Sequence, residues 1–312
     1  MILNTGSRTD IPAFYSRWLR NRFQAGEVMA RNPFAPARIS RYRLNPEVVD
    51  AVTFCTKNPQ PLIEDLSFLD SYRSYWMVTL TPYGKDIEPY VPDKHAVISS
   101  IQRLAQLVGR ERVAWRYDPV LITPRYSAAY HQRAFREIAS ALSGSVSACI
   151  ISFIDLYQKT LRNFPEAREV GREEMYQLAG DFSAACRECG IPLKACLESP
   201  QLSAWGIDVS GCMTQSVLEK ALQVRLKVPS SALTRKGCSC VLGNDIGAYS
   251  SCGHGCRYCY ANQDMETVRR NMAQHDPDSP LLIGHPGPGD IIADAAQSSW
   301  LQGQLSLPLD GC

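Results

Sequence analysis

The sequence predicts an α/β protein, a TIM-like βα barrel that is closed or partly closed and carries a cysteine-rich arm near its C-terminus. Short apolar runs alternate with amphipathic helical patterns over most of the 312 residues, and such alternation is typical of a parallel sheet with crossover helices. About seven repeats of this kind favour a barrel. With 45% hydrophobic residues, the chain can bury a large core.

The predicted strands are short apolar runs that end in polar or turn residues. They are Ile2–Thr5, Arg38–Tyr42, Ala51–Cys55, Trp76–Leu80, Val113–Arg116, Ala148–Phe153 and Leu193–Cys196. The predicted helices place apolar residues three or four positions apart. They are Lys94–Val108, Ala128–Leu142, Arg172–Glu188 and Thr214–Leu226. Asp93 is positioned to cap the first of these helices, and Gly190 followed by Pro192 ends the third.

Charged side chains follow most of the predicted strands. Active sites of βα barrels lie at the C-terminal ends of their strands, so these side chains are expected to gather at one mouth. They are Arg8, Asp10, Lys57, Arg116, Asp118 and Glu198. Each residue alone is compatible with a loop cap or a salt bridge. Together they predict a polar pocket that binds a polar substrate.

The C-terminal arm contains a C-x3-C-x2-C motif, formed by Cys252, Cys256 and Cys259 with Tyr258 before the last cysteine. Three such thiolates can hold three corners of a [4Fe–4S] cluster and leave the fourth iron without a protein ligand. The spacing is that of the radical S-adenosylmethionine (SAM) enzymes, in which this iron binds SAM and a 5′-deoxyadenosyl radical is produced. In those enzymes the position of Tyr258 lies close to the adenine. A zinc knuckle or a chance cluster of cysteines is the alternative.

The position of this motif in the chain is unusual. In radical-SAM barrels the cysteines follow the first strand, whereas here the barrel precedes them. We therefore expect the arm to fold back across the mouth of the barrel. The sequence contains no Gly-Gly-Glu segment, which holds the SAM amino group in that family.

Four further cysteines are candidates for a second metal site. They are Cys196, Cys212, Cys238 and Cys240. The last two form a Cys-Ser-Cys sequence after a basic pair, and flanking cations lower the pKa of a thiol. Four thiolates suit a second [4Fe–4S] cluster or a structural zinc ion. Simple burial of Cys196 and Cys212 is the alternative.

These features divide the chain into three regions. Residues 1–230 are predicted to form the barrel, 231–262 the iron–sulfur region, and 263–312 a helix followed by a flexible tail. Proline and glycine after about residue 275 predict the tail.

The end of that tail is a candidate binding peptide. Gln304-Leu305-Ser306-Leu307-Pro308-Leu309 resembles the peptide by which bacterial replication and repair proteins bind the DNA sliding clamp. Leucines in a polar tail have no core of their own to join, which favours a partner. The alternative is that they fold back onto the barrel.

The chain also resembles an uncharacterised bacterial family of unknown function, which pairs a barrel-like N-terminal region with a C-terminal radical-SAM-type cysteine cluster. Through the cluster alone, repair lyases such as spore photoproduct lyase look like remote relatives. Cys55 departs from the family pattern, where a bulky aromatic residue is expected. The resemblance rests on residues 7–15, 56–59, 80–84, 115–119, 151–157 and 245–249, together with the cysteines that follow.

Two functions are therefore predicted. The first is a radical-SAM-like enzyme that acts on DNA or another nucleotide-containing substrate and receives electrons from a flavodoxin or ferredoxin type of donor. The second is a non-catalytic iron–sulfur or zinc protein that binds nucleic acid or a protein partner. The first residues lack the long apolar stretch of a signal peptide, and no segment approaches the roughly 18 apolar residues needed to span a bilayer. Its twelve cysteines suit a reducing compartment, so we expect a cytoplasmic protein without a membrane partner.

Overall fold

The computed structural model describes residues 1–230, 239–241 and 243–302. The strands of these residues are β1 (Ile2–Asn4), β2 (Glu27–Arg31), β3 (Arg38–Arg43), β4 (Ala51–Thr56), β5 (Ser74–Thr79), β6 (Val113–Val120), β7 (Cys149–Phe153), β8 (Leu193–Ala195), β9 (Asn244–Asp245) and β10 (Ile291–Asp294). The helices are α1 (Ile11–Phe14), α2 (Ser16–Ala25), α3 (Gln60–Ile63), α4 (Lys94–Val108), α5 (Ala128–Leu142), α6 (Gln158–Asn163), α7 (Arg172–Glu188), α8 (Gln215–Leu222) and α9 (Met265–Met272).

A seven-stranded sheet forms the centre of the molecule. Its strand order is β8-β7-β6-β5-β4-β1-β9, and all its neighbouring strands are parallel. The predicted α/β architecture with a parallel sheet is therefore confirmed. Within the described part of the chain β8 and β9 remain at opposite edges, so a closed barrel is not formed there. Six of the strands still follow one another across the sheet in chain order, without a reversal.

The two faces of this sheet have different coverings because successive side chains of a strand point to opposite sides. On the outer face Phe54, Trp76 and Trp115 join the main apolar core, which includes residues of the helices α4, α5 and α7. The inner face carries a second apolar cluster, in which Tyr75 and Met77 meet residues of α8. Polar side chains that alternate with the outer core therefore lie on the inner face.

The predicted strand at residues 38–42 forms, but it does not belong to the parallel sheet. It is β3, the middle strand of a separate three-stranded sheet of order β10-β3-β2. Its pairing with β2 is antiparallel. Alternation of apolar and polar residues predicts a strand without specifying its partner. The prediction that residues 38–42 belong to the parallel sheet is therefore wrong, although the strand itself is present.

The structure also differs from the loose tail predicted after about residue 275. Leu281 and Leu282 are buried, and β10 pairs with β3 in parallel. The backbone N–H of Trp300 donates to the Asp50 carboxylate at 2.7 Å. Proline and glycine predicted turns correctly, but partners far away in the sequence hold those turns in place.

Three of the four predicted helices have the predicted bounds, at α4, α5 and α7. The fourth begins after its cap, Thr214, and ends at Leu222. Gln223 adopts a left-handed conformation with φ of 55°, which stops the helix short of the predicted end. Across the described residues, no helix has both the length and the apolar character that a bilayer crossing requires.

A buried histidine links α5 to the sheet. His131 Nδ1 lies 2.7 Å from the Tyr117 hydroxyl, and its Nε2 lies 2.8 Å from the carbonyl oxygen of Leu121. A neutral ring that donates through Nε2 and accepts at Nδ1 satisfies both contacts. Burial lowers the pKa of His131 from 6.5 to about 4, although the Leu121 carbonyl opposes the shift.

We predict that this histidine makes the protein sensitive to mild acid. Between pH 6.5 and 4 the unfolded chain binds a proton that the folded chain excludes, so stability falls as the pH falls. This site contributes a slope of up to about 1.4 kcal/mol per pH unit. His131→Gln should flatten the dependence of the unfolding free energy on pH in this window. The exposed control His95→Gln should not, and equal slopes in the two variants would contradict the assignment.

Candidate functional site

The six charged residues predicted at the strand ends lie along the carboxyl edge of the parallel sheet. Asp10 follows β1 and its carboxylate accepts the backbone N–H of Lys57, which follows β4, at 2.7 Å. Arg116 and Asp118, both in β6, form an ion pair. Glu198 follows β8 and accepts the backbone N–H of Phe153 at 2.7 Å.

Arg8 lies at the far end of this edge, beside β9. Its guanidinium is 3.8 Å from the Asp245 carboxylate and 5.7 Å from the centre of the Tyr249 ring. The six residues therefore form a row along the edge, made of separate pairs, and not one tight cluster. A cavity of 430 Å³ lies elsewhere, between Met29, Ala248 and Leu281, and none of the six lines it.

A seventh charged residue, which the sequence analysis missed, is the centre of this edge. The Glu88 side chain is fully buried and accepts from Lys57 Nζ at 2.7 Å and from Lys94 Nζ at 2.5 Å. The Thr81 hydroxyl donates to the same carboxylate at 2.7 Å, and so does the hydroxyl of Tyr258. Glu88 stands eight residues beyond the predicted end of its strand at Leu80, too far for a rule based on strand ends.

The two lysines decide the charge of Glu88. Burial alone would raise the pKa of this carboxyl group, but the positive charges of Lys57 and Lys94 lower it from 4.5 to about 2. Glu88 is therefore ionised at neutral pH. Two cations surround one anion, which leaves an excess of positive charge beneath Tyr258.

The cysteine loop lies over this edge of the sheet, as the sequence predicted. His254, inside the motif, is buried, and its Nε2 lies 2.8 Å from the Asp10 carboxylate. The Tyr258 hydroxyl reaches Glu88. Arg257 pairs with Glu166 at 2.5 Å. Anchors on both sides of the loop therefore hold it above the ends of β1, β4 and β5.

Close packing restricts the backbone of this loop. Gly255 has φ of +69°, and a Cβ placed there would lie 3.0 Å from the Tyr90 ring. The backbone N–H of Tyr90 also donates to the His254 carbonyl at 3.1 Å. A residue with a side chain at position 255 would meet both steric and conformational strain.

The motif thiols are unpaired and half-buried. Cys252, Cys256 and Cys259 form no disulfide. Burial raises the pKa of each, and the negative charge of Asp10 raises that of Cys252 further. Thiols of this kind are good ligands once a cation takes the place of their protons.

Three of the four cysteines predicted for a second site come together. The sulfur atoms of Cys196, Cys212 and Cys240 all lie within 4.8 Å of one another, and no other group in the described residues is identified as so compact a set of metal-ligating side chains. The fourth predicted ligand, Cys238, lies outside the described residues. Hydrogen bonds from Cys212 and Cys240 hold the pKa of Cys196 far below its usual value.

Arg116 lies on the inner face near the second cysteine group. Its Nη1 donates to the Cys55 sulfur at 2.9 Å. Burial lowers the pKa of the Arg116 guanidinium, but the neighbouring sulfur of Cys55 and the low-pKa thiol of Cys196 raise it overall. Burial and the positive charge of Arg116 both lower the pKa of Lys57, but the carboxylate of Glu88 raises it overall. The row of charged residues thus connects the second cysteine group to the motif loop.

Comparison with known proteins identifies one family. A family model described as a domain of unknown function (DUF1848) matches residues 2–261. No curated protein matches the chain. The resemblance to an uncharacterised family, predicted from the sequence motifs, is confirmed. The description of this family assigns no activity.

We predict that Glu88→Ala destabilises the protein by about 3 kcal/mol or more, because it leaves two lysines partly buried without their anion. The unfolding free energy at pH 7 measures this effect. Glu188→Ala is the control, since it removes an ion pair whose two side chains are 59% and 53% exposed, and should cost less than about 1 kcal/mol.

The destabilisation caused by Glu88→Ala should also depend on pH. The stabilisation from Glu88 is fully present above pH 4.5 and is lost as the pH falls from 4.5 towards 2, since its folded pKa is the lower one. Equal losses in Glu88→Ala and Glu188→Ala at pH 7 would show that Glu88 does not organise this edge.

Proposed function

The chain belongs to the DUF1848 family, and we propose that it is a radical-SAM-like [4Fe–4S] enzyme that acts on DNA or another nucleotide-containing substrate. One observation carries this proposal. The loop with the C-x3-C-x2-C spacing lies over the carboxyl edge of a parallel sheet, where His254 and Tyr258 connect it to a row of charged residues. Substrates of parallel α/β proteins bind at this edge.

Three residues would hold the cluster: Cys252, Cys256 and Cys259. They are free thiols on a loop whose backbone is held in place. His254 Nδ1 is buried without a hydrogen-bond partner among the described residues. A buried polar atom without a partner is costly, and a group bound inside the loop would relieve that cost. When bound, such a cluster supplies electron transfer to SAM, a reaction that no side chain performs.

The surrounding charges suit an anionic centre. Lys57 and Lys94 share one carboxylate. Burial raises the pKa of Cys256, and the positive charge of Lys57 works against that rise because it favours the thiolate. Three thiolates on a cluster carry negative charge into a partly buried site, where an unpaired charge is costly. The excess positive charge of this group would compensate it.

Aromatic and cationic side chains around the loop support a substrate that contains nucleotides. Tyr157 and Tyr260 are exposed, with ring centres 6.4 Å apart. Tyr249 lies beneath the Arg8 guanidinium. Exposed aromatic rings next to arginine are surfaces on which bases stack.

Arg116 and Asp118 are the residues we assign to binding the substrate. Arg116 Nε is buried without a partner among the described residues, so a polar ligand would satisfy it. Asp118 accepts from Ser152 while it pairs with Arg116. The ion pair holds both side chains in fixed positions on the inner face. Their role is to orient a polar substrate beneath the loop.

The alternative function is a non-catalytic iron–sulfur or zinc protein that binds nucleic acid or a protein partner. The compact group of Cys196, Cys212 and Cys240 favours it, because a metal at that site would bind within an apolar cluster and stabilise the fold. Measurement of SAM cleavage separates the two functions.

We predict that the anaerobically reconstituted protein binds four irons and four sulfides at the motif and, after reduction, releases 5′-deoxyadenosine from SAM. Changing Cys252, Cys256 and Cys259 to alanine together should abolish both the visible absorption of thiolate-bound iron and the release. The matched control changes Cys149, Cys186 and Cys189 to alanine, since these belong to neither site, and should retain both properties.

Two outcomes would contradict this assignment. Unchanged iron and sulfide in the motif variant would remove the cluster from these three cysteines. A cluster that binds at the motif but releases no 5′-deoxyadenosine would support the non-catalytic alternative.

The DNA substrate has an independent test through residues Gln304–Leu309, which lie outside the described residues. We predict that the full chain binds a purified bacterial sliding clamp. Gln304→Ala combined with Leu307→Ala should weaken this binding by about tenfold or more, or ~1.4 kcal/mol. Gln302→Ala, just outside the peptide, is the control. Surface plasmon resonance with immobilised clamp measures all three, and binding that is indifferent to the double change would contradict the clamp prediction.

A further inference from the structure

The second cysteine group joins three segments that are far apart in the chain. Cys196 follows β8, Cys212 precedes α8, and Cys240 lies shortly before β9. Cys212 and Cys240 are buried, and all three belong to the apolar cluster on the inner face or pack against it. Burial of a single cysteine needs no ligand, but three thiols gathered at one point suit a metal ion.

The spacing of the sulfur atoms indicates what they bind. The three lie within 4.8 Å of one another, and Cys212 and Cys240 are 3.4 Å apart. Zinc–sulfur bonds of about 2.3 Å in a tetrahedral site place ligand sulfurs about 3.8 Å apart. A four-iron cube binds each cysteine to a different iron and therefore needs a wider spacing. The group has the dimensions of a site for a single ion.

The backbone around Cys240 is built to hold a thiolate. The N–H groups of Cys212 and Met213 point to its sulfur at 3.2 Å and 3.4 Å. Donors of this kind in the outer shell of a metal site orient the ligand and stabilise its charge. Gly211 has φ of +125°, and a Cβ there would lie 3.0 Å from the same sulfur. Only glycine allows this turn to wrap around the sulfur.

Pairing of the two loops keeps this arrangement in place. Thr214 and Cys240 form an antiparallel bridge, and the Val241 N–H donates to the Met213 carbonyl at 2.8 Å. On the polar side of the group, Cys55 packs against the same apolar cluster, and Arg116 Nη1 donates to its sulfur at 2.9 Å. An arginine at this position would offset the negative charge that three thiolates retain around a divalent ion.

We propose that Cys196, Cys212 and Cys240 bind one zinc ion, separate from the motif at Cys252, Cys256 and Cys259. The ion joins the end of β8 to the start of α8 and to the segment that leads into β9. It thereby holds α8 and the loops around it against the inner face of the sheet, next to Arg116. This site does not depend on the proposed radical chemistry, and it is present whether or not SAM is cleaved.

The full chain, expressed with added zinc, should contain one zinc ion per molecule by mass-spectrometric metal analysis. Cys212→Ala should lose it, and so should Cys240→Ala. The control Cys149→Ala, a buried cysteine outside the group, should retain it. The variant that lacks all three motif cysteines should also keep its zinc, whereas Cys212→Ala should keep the iron of the motif.

A second measurement needs no variant. In the wild-type protein, zinc should protect Cys196, the partly exposed thiol of the group, from alkylation, and a chelator should remove that protection while Cys189 reacts equally in both states. Zinc that persists in Cys212→Ala, or equal alkylation with and without zinc, would overturn the proposal. Iron and sulfide in place of zinc in the motif variant would do the same, since they would identify a second cluster at this group.

Discussion

The architecture of the candidate site depends on the charge of one buried carboxylate. Glu88 binds Lys57 after β4, Lys94 at the start of α4, Thr81 after β5 and Tyr258 in the cysteine loop. Four segments of the chain therefore meet at two oxygen atoms. A buried anion is stable only if cations and hydrogen-bond donors surround it. Here those partners come from the sheet edge, from α4 and from the cysteine loop, which are the segments that form the candidate site. Tyr258 completes this set and, together with His254 on Asp10, anchors the loop over the sheet.

Side chains alternate along β6, so that the core residues and the charged residues of this strand lie on opposite faces of the sheet. Trp115 and Tyr117 belong to the helix-covered core, while Arg116 between them lies on the inner face with Cys55. The same alternation leaves the inner face with both the charged row and the compact cysteine group. Two sites can therefore share one face without disturbing the packing of the helices.

Much of this arrangement was predictable from local patterns. The apolar runs identified six of the seven strands of the parallel sheet, all but β9, and strand-end polarity identified Asp10, Lys57, Arg116, Asp118 and Glu198 on its carboxyl edge. Glu88 was missed because no local pattern marks it: it lies in a loop, and its four partners are distributed between residues 57 and 258. The strand at β3 and the ordered segment after residue 275 were misplaced for a related reason. The segment after residue 275 pairs with β3 across about 250 residues of sequence, and β3 pairs with β2 and β10 in a sheet of its own, which no local pattern specifies.

The sequence by itself determined most strands of the parallel sheet, the helices α4, α5 and α7, the family and the cysteine motif, because each of these depends on residues that are close together in the chain. Tertiary structure alone decided which strands share a sheet, that this sheet stays open between β8 and β9, and that Cys196 meets Cys212 and Cys240. Sequence spacing gives no measure of the distance between sulfur atoms on separate segments. Folding sets that distance, and with it the difference between a site for one ion and a site for a cluster.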